Sequence, residues 1–80
     1  MTAKTFPSPL PGTFYHKAAP DQPAFKSSGD AVASGDTIGL IEVMKTFTPV
    51  FAEVAGTFGK YLIDNDDAVM AGQPLYEIEV

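Results

Sequence analysis

The chain has 80 residues, near the lower limit at which one domain buries enough apolar surface to fold alone, and 45% of them are hydrophobic. It has no cysteine, which excludes disulfides and cysteine-based metal sites, and a single histidine, which excludes a multi-histidine site. Five lysines, no arginine and ten carboxylates give a net charge of −5. This balance argues against nucleic-acid binding and favours docking on basic protein surfaces.

In chain order, short apolar segments alternate with stretches rich in Gly, Pro, Ser, Asn and Asp. GDTIGLIEV (35–43), FTPVFAEV (47–54) and QPLYEIEV (73–80) are rich in β-branched and aromatic residues and too short for amphipathic helices. The pattern predicts an all-β protein. No apolar run approaches membrane-spanning length, and MTAKTFPSP (1–9) lacks the apolar stretch of a secretion signal, so a cytoplasmic protein without membrane contact is expected.

The chain nearly repeats itself. Gly-Thr-Phe at 12–14 recurs at 56–58, and DAVASGDTIGLIEV at 30–43 aligns with DAVMAGQPLYEIEV at 67–80. Two related halves on one β chain predict a single domain, residues 1–80, built as a flattened barrel or sandwich of two antiparallel sheets with internal pseudo-two-fold symmetry. Apolar positions in the strand-like segments are the predicted core: Ile38, Leu40, Val50, Val54, Leu62, Val69, Leu75 and Ile78.

The first half carries an insertion. The Gly-Thr-Phe copies are 44 residues apart (56 − 12) and the longer repeat 37 apart (67 − 30), so seven extra residues (44 − 37) lie between Phe14 and Asp30. Their turn-rich, proline-containing composition predicts a protruding loop at about 15–28. Tyr15 and Phe25 are candidates for holding this loop against the body.

A methionine and a lysine occupy an unusual position. Met44 and Lys45 lie at the tip of a predicted hairpin, at about 38–54, where short loops favour Asn-Gly or Asp-Gly because mirror-type turns need positive φ. Since Val43 corresponds to Val80 in the repeat, the pseudo-symmetry places Lys45 at one end of the domain and both termini at the other. Strain at such a tip is more often kept for function than for stability.

Other candidate sites are weak. His16 lies in a Pro-rich loop without a cysteine partner, which favours a contact residue over a catalytic base. The acidic run 64–67 resembles the start of a calcium loop, but Val69 and Leu75 replace the glycine and the glutamate that such a loop needs. A solvated turn and no metal are therefore predicted.

The tip sequence carries a family resemblance. Glu42-Val43-Met44-Lys45 resembles the E-A-M-K-M attachment sequence of biotinyl domains. Residues 8–45 are similar to the biotin carboxyl carrier family of acetyl-CoA carboxylase, because they contain that family's motif S-P-x-x-G-T-F-Y and, later in the chain, its motif G-x-x-V-x-x-G-D-T. In that family the insertion after Tyr15 is a "thumb".

Two positions depart from the family pattern: Val43 replaces the usual alanine and Thr46 the usual second methionine. The resemblance implies a barrel-sandwich hybrid fold with biotin joined covalently to Lys45. It also implies that Met44 and Glu42 present the lysine to a biotin protein ligase, and that the thumb contacts biotin or the partner enzymes.

The implied function is that of a carrier without catalytic activity of its own. Biotin on Lys45 would shuttle an activated carboxyl group from a biotin carboxylase to a carboxyltransferase, in acetyl-CoA carboxylase (fatty acid synthesis) or a related acyl-CoA carboxylase. The alternatives are a lipoyl carrier of a 2-oxo acid dehydrogenase, against which Met44 and the thumb argue, an unmodified β-domain adaptor, and a stand-alone enzyme.

Overall fold

The computed structural model describes residues 2–80, which form two four-stranded antiparallel sheets and contain no helix. The strands are β1 (Ala3–Pro7), β2 (Gly12–Tyr15), β3 (Ala31–Val32), β4 (Thr37–Val43), β5 (Thr46–Phe51), β6 (Gly56–Tyr61), β7 (Asp67–Val69) and β8 (Pro74–Glu79). Sheet A has the order β1-β8-β6-β3, and sheet B has the order β5-β4-β2-β7. The predicted all-β sandwich is confirmed.

The strand order displays the predicted two-fold repeat. The repeat relates β1 to β5, β8 to β4, β6 to β2 and β3 to β7. Replacing each strand of sheet A by its counterpart gives the order of sheet B. A Cβ built on Gly12 would lie 2.6 Å from the carbonyl oxygen of Glu42, and one built on Gly56 would lie 2.5 Å from that of Glu79. The repeat pairs Gly12 with Gly56 and Glu42 with Glu79, so the two halves place equivalent glycines against equivalent strands.

The core lies between the inner faces of the two sheets. Of the predicted core residues, Ile38, Val50, Val69, Leu75 and Ile78 are buried. Aromatic side chains from both sheets complete it, and these were not predicted: Phe6, Phe14, Phe58 and Tyr76. Because each strand has a side chain directed inward at alternate positions, four large rings fill much of the space between the layers.

The prediction for Leu62 is wrong, and two others are met only in part. Leu62 follows β6 and is 37% exposed, because its neighbours Tyr61 and Ile63 pack against the core instead. Leu40 is half-buried because a register shift between Thr37 and Gly39 changes the alternation of β4. Val54, after β5, is likewise half-buried and packs on the core surface.

Candidate functional site

Met44 and Lys45 form a two-residue turn between β4 and β5. Val43 and Thr46 are paired across the two strands, and the turn residues have φ values of 49° for Met44 and 68° for Lys45. Two consecutive positive φ values are characteristic of a type I′ turn, whose twist matches that of the strands it joins. The strain predicted from the sequence is therefore present, at two residues that have a Cβ.

Both turn side chains lie in solvent. Met44 is 93% exposed and Lys45 is exposed, so neither contributes appreciably to the core. The ladder below them is continuous from Leu40 paired with Pro49 to Val43 paired with Thr46. The protein thus holds a lysine side chain on a rigid support where another macromolecule can reach its amine.

Glu42, the third predicted site residue, faces a different direction. Its side chain is on the outer face of sheet B, where Oε1 accepts a 2.9 Å hydrogen bond from the Tyr15 hydroxyl. This hydrogen bond is the main reason that the pKa of Tyr15 is raised to about 12. The structure therefore joins Glu42 to the first residue of the predicted thumb, whereas the side chains of Met44 and Lys45 extend into solvent.

The thumb segment is tied at its first end by His16. The His16 backbone N–H donates a 2.7 Å hydrogen bond to Oδ1 of Asn65, and Nε2 lies 2.5 Å from the Ile63 carbonyl oxygen. The imidazole stacks on the ring of Tyr61 with centroids 3.7 Å apart and an interplanar angle of 10°. His16 is a contact residue that joins the thumb to the loop after β6.

The second end of the thumb is held by Lys26. Its Nζ lies 3.0 Å from Oδ2 of Asp36 and 3.1 Å from the carbonyl oxygen of Ala31. The pKa of the Asp36 carboxyl is lowered mainly by the hydrogen bond from the backbone N–H of Ala33, and to a smaller extent by the hydrogen bond from Lys26. Between the two ends, Phe25 donates its backbone N–H to the His16 carbonyl oxygen at 2.8 Å, which is a hydrogen bond within the thumb; pinning of the loop to the body by the Phe25 ring stays a prediction.

A cleft of about 390 Å³ lies between the predicted thumb and the hairpin of β4 and β5. Tyr15, at the end of β2, and Phe47, on β5, line one side of it, with ring centroids 6.1 Å apart. Ala18, Ala19 and Pro20 form the thumb side. Sequence reasoning did not assign Phe47 to the site, although its place two residues after Lys45 was the available signal.

The acidic run forms a turn at the edge of this cleft. Asp66 has a φ of 66° and donates its backbone N–H to the Phe14 carbonyl oxygen at 2.8 Å, while Asn65 binds His16. Within residues 2–80, no group of three or more His, Cys, Asp or Glu side chains is arranged to hold a metal ion. No helix in the same residues has the length and apolar character required to cross a membrane.

A two-sheet domain with internal two-fold symmetry and a lysine exposed on a strained hairpin turn defines a class of small carrier modules. The Biotin_lipoyl family model, described as "Biotin-requiring enzyme", matches residues 4–78. The chain belongs to this family.

Similar proteins share the same segment. The biotin carboxyl carrier protein of acetyl-CoA carboxylase from Porphyra purpurea is 40% identical over 75 residues, which are 94% of this chain and 48% of the relative. The protein of the same name from Pseudomonas aeruginosa is 39% identical over 71 residues, covering 89% of this chain and 46% of the relative. The chain thus spans about half the length of these curated relatives.

A solved structure has the same fold. The crystal structure of Kluyveromyces lactis urea carboxylase superposes on 99% of this chain and 6% of its own length, with a TM-score of 0.78 and 33% sequence identity.

Proposed function

We propose that this chain is a biotin carboxyl carrier in which the Nζ atom of Lys45 is joined to biotin by an amide bond. The observation that carries the proposal is the position of Lys45, exposed at a two-residue turn with positive φ on a rigid β-hairpin. The relatives named as carriers of acetyl-CoA carboxylase support the proposal that the parent enzyme is acetyl-CoA carboxylase or a related acyl-CoA carboxylase.

The site fits a covalently attached arm. In amide formation the amine of Lys45 would lose a proton and displace the group that activates the biotin carboxyl. An exposed lysine does this without first leaving a salt bridge, and within residues 2–80 the single lysine–carboxylate ion pair is Lys26 with Asp36. Amide formation removes the positive charge of Lys45. Lys45 would hold the biotin, whose ureido ring would supply the site that carries a carboxyl group between a biotin carboxylase and a carboxyltransferase.

The residues around Lys45 orient it for a biotin protein ligase. The strained turn fixes the backbone direction at Met44 and Lys45, and the ladder of β4 and β5 holds this turn away from the body. Met44 supplies an exposed, flexible thioether next to the amine, which suits it to contact the ligase. Glu42, held by Tyr15, gives the ligase a carboxylate in a defined position.

The thumb provides an apolar surface beside the tip. The cleft lined by Tyr15, Phe47 and the Ala18–Pro20 segment lies on the hairpin side of the thumb, which supports a contact between the thumb and the biotin arm or a partner enzyme. The chain's own contribution to carboxylation is then positioning rather than proton transfer. Tethering maintains the attached group at roughly millimolar effective concentration at both partner sites.

Co-expression with a biotin protein ligase and intact-mass measurement test the proposal. The wild-type chain is expected to gain the mass of one biotinyl group, Lys45→Ala is expected to gain none, and Lys60→Ala serves as a control at another exposed lysine. Absence of the added mass in the wild type would refute the attachment proposal, unless Val43→Ala with Thr46→Met restores it. Gain of a lipoyl group with a lipoyl ligase, and of no biotin, would favour the lipoyl carrier instead.

A further inference from the structure

The two halves of the repeat diverge after the Gly-Thr-Phe motif, and the divergent segments contact each other. In the first half the chain continues into the thumb, and in the second half it continues through Tyr61 into the loop before β7. His16 of the thumb contacts this loop at Ile63 and Asn65 and stacks on Tyr61. The thumb is therefore held by the segment that occupies its own place in the repeat.

A register shift directs Tyr61 toward this contact. The pairing of β6 with β8 shifts between Phe58 and Lys60, and Tyr61 is then paired with Tyr76, whose side chain is buried. Without the shift, strict alternation from the buried Phe58 would turn Tyr61 to the outer face of sheet A. Bulges redirect side chains in this way. Tyr61 instead packs against the core, where its ring meets that of His16.

The hydroxyl group of Tyr61 joins sheet B to the second end of the thumb. It donates a 2.7 Å hydrogen bond to the carbonyl oxygen of Ile38 on β4 and accepts one of 3.3 Å from the backbone N–H of Lys26. Burial raises the pKa of Tyr61 to about 12, so the hydroxyl keeps the proton that it donates. Since His16 at the first end stacks on the same ring, with centroids 3.7 Å apart, this one side chain contacts both ends of the thumb.

Between these ends, the thumb is hydrogen-bonded to itself. Lys17 and Ala24 form an isolated β-bridge, and the Gln22 backbone N–H donates a 3.0 Å hydrogen bond to the Ala19 carbonyl oxygen. Because the loop is closed across its base, its tip moves together with its ends. The direction of the thumb is therefore set where the ends are held, at Tyr61.

The tip of the thumb forms one wall of the cleft near Lys45. The Ala18–Pro20 segment lines the cleft of about 390 Å³ together with Phe47. Phe47 is two residues from Lys45 along β5, which corresponds to about 7 Å. A biotinylated lysine side chain is longer than this when extended, so an arm attached at Lys45 reaches the cleft. The position of the thumb then decides whether the arm meets a wall that is already formed.

We infer that Tyr61 is a positioning residue for the biotin arm, because it fixes both ends of the thumb and so keeps the Ala18–Pro20 wall of the cleft in place. It acts through the thumb rather than by contact with Lys45. The inference rests on the proposed function, since it takes Lys45 as the attachment point and the cleft as the place where the arm rests.

The test compares three variants of the whole chain. Tyr61→Phe removes the hydroxyl group and keeps the ring, and His16→Ala removes the stacked ring from the side of the thumb. Tyr76→Phe is the matched control, because it removes the hydroxyl group of the cross-strand neighbour, which lines a groove that contains no thumb residue. Thermal unfolding verifies that each variant is folded, and intact mass verifies biotin loading.

Two NMR measurements on isotope-labelled chain report the state of the thumb. Backbone order parameters of residues 18–24 in the unloaded chain show how firmly the thumb is held, with about 0.85 for rigid backbone and below about 0.6 for flexible backbone. Differences in the amide shifts of Ala18 and Ala19 between the unloaded and the biotinylated chain report contact with the arm. Both describe the folded state, so a residue that only stabilised the domain would leave them unchanged.

Order parameters of about 0.85 and clear shift differences at Ala18 and Ala19 are expected for the wild type and for Tyr76→Phe. In Tyr61→Phe and His16→Ala, the order parameters are expected to fall toward about 0.6 and the shift differences to decrease at least twofold. Wild-type values in both variants, or a loaded wild type without shift differences at the thumb, would overturn the inference while leaving Lys45 as attachment site. Failure of the wild type to load would overturn the proposed function instead, and the order parameters of the unloaded chain would still decide whether Tyr61 holds the thumb.

Discussion

From the geometry of the Met44–Lys45 turn we predict that Met44 lowers the stability of the domain while it supports biotin loading. Met44 has a φ of 49°, a conformation that costs a residue with a Cβ about 1–2 kcal/mol and that asparagine adopts more readily. Its side chain is 93% exposed, so replacement loses almost no packing. Met44→Asn is therefore expected to stabilise the domain by about 1 kcal/mol, which for a domain of this size raises Tm by about 4–8 °C.

The same substitution is expected to slow biotin loading. The ligase would no longer contact the Met44 thioether, and loss of such a contact corresponds to a decrease of about tenfold or more in kcat/KM for the carrier. Tm from circular dichroism and loading rates from intact mass measure the two effects separately. Met70→Asn is the control, because Met70 is exposed but does not have a positive φ, and neither quantity is expected to change. A Tm for Met44→Asn equal to or below that of the wild type would refute the argument from strain.

Three further predictions concern the supporting structure. Gly12→Ala and Gly56→Ala both force a methyl group against a backbone carbonyl oxygen, and each is expected to destabilise the domain by about 1–3 kcal/mol. Only Gly12→Ala displaces β4, the strand that leads to the Met44–Lys45 turn, so only Gly12→Ala is expected to reduce biotin loading beyond its effect on stability. Tyr15→Phe removes the hydrogen bond to Glu42 on β4 and is expected to slow biotin loading with little change in Tm; a loading rate equal to that of the wild type would contradict this role. Burial raises the pKa of Tyr61 and of Tyr76 to about 12, above the ordinary value of 10, so the native state retains these protons when the unfolded chain has lost them. Stability is accordingly expected to be intact below pH 10 and to fall between about pH 10 and 12, as measured by urea unfolding at each pH.

The internal repeat made the fold predictable, but the alternation of apolar residues did not predict the burial of every core position. Alternating apolar residues and two aligned halves indicated an all-β sandwich with two-fold symmetry, and the strand order agrees with it. Alternation failed in β4, where the shift at Gly39 turns Leu40 outward, because a bulge is set by pairing with the neighbouring strand and leaves little trace in local composition.

The candidate site was predictable at the tip and less so around it. Met44 and Lys45 were recognisable because their residue types conflict with the turn that joins the strands. The contacts of Tyr15 and His16 depend on which loops meet in space, and Asn65 is 49 residues from His16 along the chain. Such long-range partners are determined by sheet topology, which periodicity alone does not specify.

The repeat also indicates which contacts were added for the lysine-bearing half. Glu42 corresponds to Glu79, but the equivalent of Tyr15 is Gly59, with an offset of 44. Since glycine has no side chain, the hydrogen bond between Tyr15 and Glu42 has no counterpart at Glu79, and β6 has a register shift between Phe58 and Lys60 where the pairing of β2 with β4 is regular. A contact needed only for folding would be expected in both halves. Its presence in one half alone argues that the Tyr15–Glu42 pair fixes the base of the predicted thumb relative to β4, the strand that leads to the Met44–Lys45 turn.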